Sequence, residues 1–338
     1  MKYLFELSKE HKTLPKAEVL ACLDAEEIDY DISESNEDIL ILETLETKSV
    51  KDKMARVADR LSFTFYIDEF LFSSSHSTEE IKIFSKNYDF NKKGSVAIRY
   101  KNRSKNIKSR PIVRILADSY TKNREVSLEN PDNEIRGLIT DSKLYVGLKN
   151  AEINKSQFEQ RKVQYRPFFS PISLHPKIAR ALVNLSSVRK GETILDPFCG
   201  TGGILIEAGL IGAKLIGSDI EEKMIKGCSK TLDFFKINEY DLYCSDIGKI
   251  GEKIEKVDAI VTDLPYGKST TTKGENMHDL YQRSFKSMSH FIKKEGKIVV
   301  GLSEEEYISL GQNHFTLIDN FEFKVHKSLN RYFVVYQN

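Results

Sequence analysis

Asp263-Leu264-Pro265-Tyr266 brings a carboxylate, a restricted turn and an aromatic face together within four residues. The carboxylate can accept one N–H of a planar amine, and a carbonyl in the turn can accept another. The ring can stack on the base that carries the amine. Proline fixes φ and narrows the turn to one shape. Residues 257–262 before it are largely apolar and read as a buried strand. The turn therefore falls at a strand's carboxyl end, the edge at which open α/β sheets bind ligands.

A second group lies upstream, at Asp196-Pro197-Phe198-Cys199-Gly200-Thr201-Gly202-Gly203. A short apolar strand (193–195) precedes it, and a helix bearing Ile204, Leu205, Ala208, Leu210 and Ile211 follows. Glycines tolerate positive φ and let backbone approach a ligand closely. The Gly-x-Gly-x-x-Gly spacing of a dinucleotide site is broken. An acid ahead of the glycines suits a cationic ligand such as S-adenosylmethionine better than a pyrophosphate. Asp219 ends the next strand, where an acid can bind ribose hydroxyls. Asp246 ends the one after, where a carboxylate can accept the adenine amino group. Four acids at the ends of successive strands are unlike a scatter of solvated loop residues. Gly267-Lys268-Ser269-Thr270 mimics the end of a phosphate loop, but Thr262 stands where that loop needs glycine. Lys268 and Ser269 are expected to touch substrate phosphate or to order the loop.

The elements that must position these groups follow from periodicity. From 175 onward, strands beginning near 193, 214, 242, 259 and 297 alternate with helices, which predicts a parallel, doubly wound sheet. Residues 315–325 and 331–336 read as two consecutive strands, so a terminal hairpin caps the sheet. Before it, the pattern predicts strands at 2–7, 39–43, 63–72 and 96–100. Helices are expected at 15–26, 50–61, 78–85 and 111–120, and a closing pair of strands at 134–140 and 143–148. Domain boundaries are expected at 1–150, a linker at 151–166 and a second domain at 167–338.

The chain of 338 residues is 40% hydrophobic and 30% charged, enough for two domains each with its own core. It has no apolar run of membrane-spanning length, and its first residues do not form a signal peptide. Four cysteines without a CxxC pair read as reduced thiols of a cytoplasmic protein, with no metal centre. The net charge of +1 conceals segregation. Residues 1–47 carry 13 acids and four bases, residues 92–124 carry 11 bases and one acid, and residues 155–190 carry eight bases and one acid. Two basic blocks beside a catalytic domain point to a polyanion. Lys92, Lys93, Arg99, Lys101, Arg103, Lys105, Lys108 and Arg110 are the candidate RNA contacts.

The second domain resembles the class I S-adenosylmethionine-dependent methyltransferases that modify exocyclic amines. Within them it is most similar to the archaeal, THUMP-containing tRNA (guanine(10)-N2)-methyltransferase family. The resemblance rests on Arg166-Pro167-Phe168-Phe169, on Leu174-His175-Pro176 with Arg180 to Leu185, on the two turns above, and on His326-Lys327-Ser328-Leu329-Asn330-Arg331. Val126-Ser127-Leu128-Glu129-Asn130-Pro131-Asp132 and the hairpin after it resemble a THUMP domain preceded by a ferredoxin-like half.

The resemblance implies an α/β fold: a Rossmann-like seven-stranded methyltransferase domain preceded by an α+β ferredoxin-like/THUMP RNA-binding domain. It implies S-adenosylmethionine as methyl donor and tRNA as partner. Asp196, Phe198, Gly200, Thr201 and Gly202 would cradle the methionine end. Asp219 with Ile220 would take the ribose, Asp246 with Ile247 the adenine side, and Asp263 would border the donor. Asp263, Leu264, Pro265 and Tyr266 match the catalytic turn, with Leu264 where proline is commoner. Asp at 263 favours this RNA family's purine amines over the ribosomal RNA guanine enzymes, which tend to carry Asn. Competing readings are a guanosine N2-methyltransferase for another tRNA position or for rRNA, a DNA amine methyltransferase, and an inert RNA-binding THUMP protein. Whether a small activating partner protein takes part is not legible in the sequence.

Overall fold

The alternation of apolar and polar residues resolves into two sheets. A computed structural model describes residues 1–88, 90, 92–168, 173–266, 275–326 and 329–338. They form two compact units: Met1–Lys16, Ile28–Asp59 and Thr64–Ile153 in the first, and Ala17–Glu27, Arg60–Phe63 and Asn154–Asn338 in the second. Among the described residues no helix is long and apolar enough to cross a membrane. Gly267 to Thr270, Phe169 to Pro171, and Lys327 and Ser328, all used in the sequence argument, lie outside the described residues.

In chain order the amino-terminal elements are β1 (Lys2–Leu7), α1 (Leu14–Ala25), β2 (Asp31–Ser35), β3 (Ile39–Glu43), α2 (Lys48–Arg60) and β4 (Thr64–Ser74). Then come α3 (Thr78–Asn87), β5 (Val96–Asn102), α4 (Ser109–Tyr120), β6 (Asn133–Ile139) and β7 (Leu144–Glu152). The sheet runs β2-β3-β1-β4-β7-β6-β5, with a core that includes Ile112, Leu116, Tyr120 and Val146. Ser77 caps α3 by accepting from the Glu80 N–H, and Glu79 and Glu80 suit its positive end. The Thr140 N–H donates to the Lys143 carbonyl and closes a two-residue turn at Asp141-Ser142. β2 was not expected. Its sequence, DISES, has no apolar alternation because it is a mostly exposed edge strand.

The second unit continues with α5 (Ser156–Gln160), α6 (Pro176–Leu185), β8 (Thr193–Asp196), α7 (Gly203–Leu210), β9 (Lys214–Asp219), α8 (Glu222–Phe234) and β10 (Tyr240–Cys244). It closes with α9 (Ile247–Ile250), β11 (Val257–Asp263), α10 (Met277–Phe291), β12 (Ile292–Leu302), α11 (Ile308–Gln312), β13 (Thr316–His326) and β14 (Leu329–Gln337). The sheet order is β10-β9-β8-β11-β12-β14-β13. β8 to β12 are parallel, and the terminal hairpin inserts β14 antiparallel against β12. This is the expected seven-stranded methyltransferase sheet. Chain order reverses between β8 and β11, which opens a ligand crevice at their carboxyl ends. Leu195, Ile260, Phe285, Val300 and Tyr336 are among the side chains that fill its core.

The unit boundaries differ from those expected. Residues 154–166 are not a bare linker; Phe158 and Arg161 are buried, and Arg161 pairs with Glu207 of α7. Residues 17–27 and 60–63 also belong to the second unit. There the buried Glu18 accepts from the Ser62 and Phe63 N–H groups and from Asn184 Nδ2 at 2.8 Å. Polar partnerships of such sequence separation leave no local signal.

Candidate active site

β8 delivers the glycine turn. Gly200 and Gly202 have φ of 49° and 82°, the left-handed region that favours glycine. A Cβ on Gly202, which caps α7, would meet Cys228 Sγ at 2.7 Å. A Cβ on Gly200 would meet no described atom within 4 Å. One glycine is thus required by packing, while the other faces open space where a ligand can approach the backbone. The Gly200 N–H donates to Asp219 Oδ2 at 3.1 Å, and the Glu221 N–H to Oδ1 at 2.8 Å. Asp219 at the end of β9 therefore holds the turn, and burial pushes its carboxyl above the usual range.

Asp196 is 2% exposed and links this turn to the next strand. Its Oδ1 accepts from Thr262 Oγ1 at 2.7 Å and from the Phe198 N–H at 3.2 Å. Burial pushes its carboxyl up to about 7; those two bonds oppose the rise, and the charges of Asp263 and Asp219 add to it. Three of the four strand-end acids are therefore close enough to feel one another.

β11 carries Asp263 to the same rim. Oδ2 accepts from Arg331 Nη1 at 2.8 Å, whereas Oδ1 is closed to water and has no hydrogen-bond partner among the described residues. Burial pushes this carboxyl up to about 6 against the pull of Arg331. Gly301 of β12 makes room for the oxygen, because a Cβ there would collide with Oδ1. The following turn is held at three further points. The Leu264 N–H donates to the Gly301 carbonyl at 3.1 Å, and the Leu264 side chain is buried in the core. Tyr281 donates its hydroxyl to the Pro265 carbonyl at 2.8 Å. Arg331 lies 3.9 Å over the centroid of the Tyr266 ring.

The remaining candidates fall variously. Phe198 packs half-buried against the core, Ile220 is half-buried at the rim, and Thr201 is buried beside Ser173 at 3.1 Å. Ile247 is a core side chain, so only its backbone can face a ligand. Asp246 is not the open acceptor expected of it. It caps α9 through the Gly248 N–H and grips Arg283 at 2.8 and 3.0 Å. Arg331, Tyr281, Gly301, Thr262 and Arg283 had no assigned role in the sequence.

The basic candidates lie in the first unit, where Arg99, Lys101 and Arg103 line a groove of about 740 Å³ with Tyr66, Tyr100 and Lys149. Lys93, Lys101, Lys105, Lys108 and Arg110 are exposed; Lys92 pairs with Glu69 at 2.9 Å. Arg99 is half-buried and donates to the Leu128 carbonyl. Arg103 requires correction as a phosphate contact. Its side chain is 8% exposed, and its guanidinium is committed to Glu6 at 2.9 Å and Asp38 at 2.8 Å.

Comparison with known proteins places the chain in a family. The RMKL-like methyltransferase domain matches residues 163–331. A DNA methylase family matches residues 30–230, a span that ends before Asp263. A tRNA (guanine(10)-N2)-dimethyltransferase of Methanothermobacter thermautotrophicus is 33% identical over 338 residues, 98% of each chain. One from Pyrococcus abyssi is 38% identical over 220 residues, 64% of this chain and 65% of that one. The crystal structure of TrmN from Thermus thermophilus covers 100% of both chains with a TM-score of 0.57 at 16% identity, a likeness of fold. The chain belongs to the archaeal tRNA (guanine(10)-N2)-dimethyltransferase family, built around an RMKL-like methyltransferase domain.

Proposed function

We propose that this chain methylates the exocyclic N2 amine of guanosine in tRNA, at position 10, with S-adenosylmethionine as donor and the cytoplasm as its setting. The observation that carries this reading is Asp263 Oδ1, an acceptor walled off from water without a donor among the described residues. A buried acceptor left unmatched costs about 1–3 kcal/mol, so the site is built for an N–H that arrives with substrate. The open face of Gly200, its hydrogen bond to Asp219 and the buried Asp196 fit a donor that is cationic at one end and carries ribose hydroxyls. When bound, S-adenosylmethionine supplies an electrophilic methyl on a sulfonium sulfur.

The protein's own task is to make a poor nucleophile attack. Guanine's amine is unreactive because its lone pair is delocalised into the ring. Asp263 Oδ1 accepts one N–H, and the Leu264 carbonyl accepts the other. Two such bonds draw the nitrogen toward tetrahedral geometry and turn its lone pair out of conjugation. Arg331 lies over the Tyr266 ring and fixes its plane, and that ring is the stacking platform for a flipped base. As the new N–C bond forms, the amine must lose a proton, and Asp263 is the carboxylate positioned to take it. Leu264 in place of proline keeps the carbonyl, since the Gly301 bond and core burial fix that residue. The first unit supplies address through its exposed lysines, with binding that weakens as salt rises.

The test is transfer of labelled methyl groups to a tRNA transcript and to one with adenosine at position 10. Label in N2-methylguanosine or N2,N2-dimethylguanosine from the first transcript alone supports the proposal. Equal label in both transcripts removes the position, and label in neither removes the function.

A further inference from the structure

The Arg166 guanidinium is buried against the start of α7, and among the described residues no carboxylate is hydrogen-bonded to its fork. Arg166 is 6% exposed. Its Nε donates to the Arg161 carbonyl at 3.0 Å, but Nη1 and Nη2 are closed to water and have no hydrogen-bond partner among the described residues. A Cβ on Gly203, the first residue of α7, would meet Nη1 at 3.3 Å and Nη2 at 4.0 Å. The fork therefore lies over the opening turn of the helix.

This placement is unfavourable twice over. A buried charge needs a partner, and the free N–H groups of a helix N-terminus add positive potential of their own. The nearby acid is already shared. Glu207 accepts from Arg161 at 2.8 and 2.9 Å and pairs with Arg180 at 2.9 Å. Burial and the neighbouring Arg161 push the Arg166 guanidinium below its usual range, against the pull of Glu207. One carboxylate thus serves two other guanidiniums, and Arg166 adds a third cation that an incoming anion would balance.

We propose that Arg166 anchors the α-carboxylate on the methionine tail of S-adenosylmethionine. This rests on the reading of the Gly200 turn as the donor cradle. α7 opens directly from that turn, and a helix N-terminus favours an anion. A planar guanidinium matches a carboxylate in bidentate fashion, which an ammonium does not. The segment that carries Arg166 also touches the neighbouring structure at two further points. Ser173 Oγ lies 3.1 Å from Thr201 Oγ1, and the Phe168 ring occupies the space that a side chain on Gly227 of α8 would fill. Arg166 is thereby held beside Gly203, where the glycine turn passes into α7.

Calorimetry on the full chain with two ligands tests the assignment. S-adenosylhomocysteine carries the carboxylate; 5′-methylthioadenosine lacks the amino-acid tail. Arg166→Gln is expected to weaken S-adenosylhomocysteine about 10- to 100-fold and to leave 5′-methylthioadenosine within about twofold. Arg166→Lys, which keeps the charge and loses the fork, falls between. It also carries the same comparison should the glutamine variant fail to fold. Equal losses for both ligands, or S-adenosylhomocysteine bound as tightly as by wild type, overturn the assignment and leave the donor cradle standing. Wild type that binds neither ligand overturns the cradle itself.

Discussion

Arg331 Nη1 lies 2.8 Å from Asp263 Oδ2, and the same guanidinium covers the ring of Tyr266. One cation thus orients both the acceptor of the reacting amine and the platform for its base. It occupies one carboxylate oxygen and leaves the other pointing at an unmet need. Arg331 touches no reacting atom in this arrangement, so it is a positioning residue.

Loss of the acceptor should separate chemistry from binding. Asp263→Ala is expected to lower the rate of methyl transfer by roughly 10³-fold or more, with S-adenosylhomocysteine affinity within a few-fold of wild type. Near-normal turnover in that variant would falsify the mechanism.

The acid limb of the rate profile reports the same carboxyl. Asp263 must be ionised to accept, and burial holds it up to about 6. kcat/KM should therefore fall about tenfold per pH unit below that value. Arg331→Met removes the group that pulls this pKa down, so the limb should move to higher pH. An unmoved limb excludes Asp263 as its source.

Gly301→Ala is a sharper probe than its size suggests. The added methyl meets Asp263 Oδ1, so the carboxylate must shift or the strand must yield. kcat should drop at least tenfold, since small misplacements at a reacting centre cost heavily, while donor affinity is retained. A variant with unchanged kcat shows that the carboxylate position is not critical.

Asp196 ties stability to pH. Its unfolded value is about 3.9, whereas burial raises it to about 7 in the folded chain. The native state therefore holds this proton more tightly. The resulting stability is complete below about pH 4 and is lost as pH rises through 7. Asp196→Asn keeps an acceptor for Thr262, and it should melt a few degrees above wild type at pH 8. That gap should narrow as pH is lowered to 5 and close near pH 4. A gap independent of pH refutes the assignment.

Basic residues of the first unit should divide into two kinds. Lys101→Ala with Lys105→Ala is expected to weaken tRNA binding several-fold and to flatten its salt dependence. Arg103→Ala should instead unfold the protein more easily, by about 3–5 kcal/mol, because it strips Glu6 and Asp38 of a buried partner. Thermal melts and filter binding of the two variants distinguish these outcomes.

The parts of the fold readable from sequence are those specified by nearby residues. The glycines at 200 and 202 and the strands that end in Asp196, Asp219 and Asp263 announce themselves within ten residues. Gly301 carried a readable signal as well, since an isolated glycine inside a strand marks close approach of another group. Arg331 did not. It meets Asp263 across 68 residues, through a hairpin whose register no short window contains. β2 was hidden because an exposed edge strand lacks the alternation of a half-buried one. Asp246 looked like an acceptor because Arg283, its partner, stands 37 residues away on α10.

The direction of β14 decides which residue of that strand reaches the crevice. Parallel strands can show this rim only their final residues, and on β8, β9 and β11 those are acids. β14 runs the other way, with Leu302 beside Tyr332 and Lys297 beside Gln337. Its beginning, with Arg331, therefore stands where its neighbours finish. Threaded in the opposite sense, the strand would offer Gln337 and carry Arg331 about 20 Å to the far edge. A single reversal of chain direction thus lets one margin of a sheet display both signs of charge.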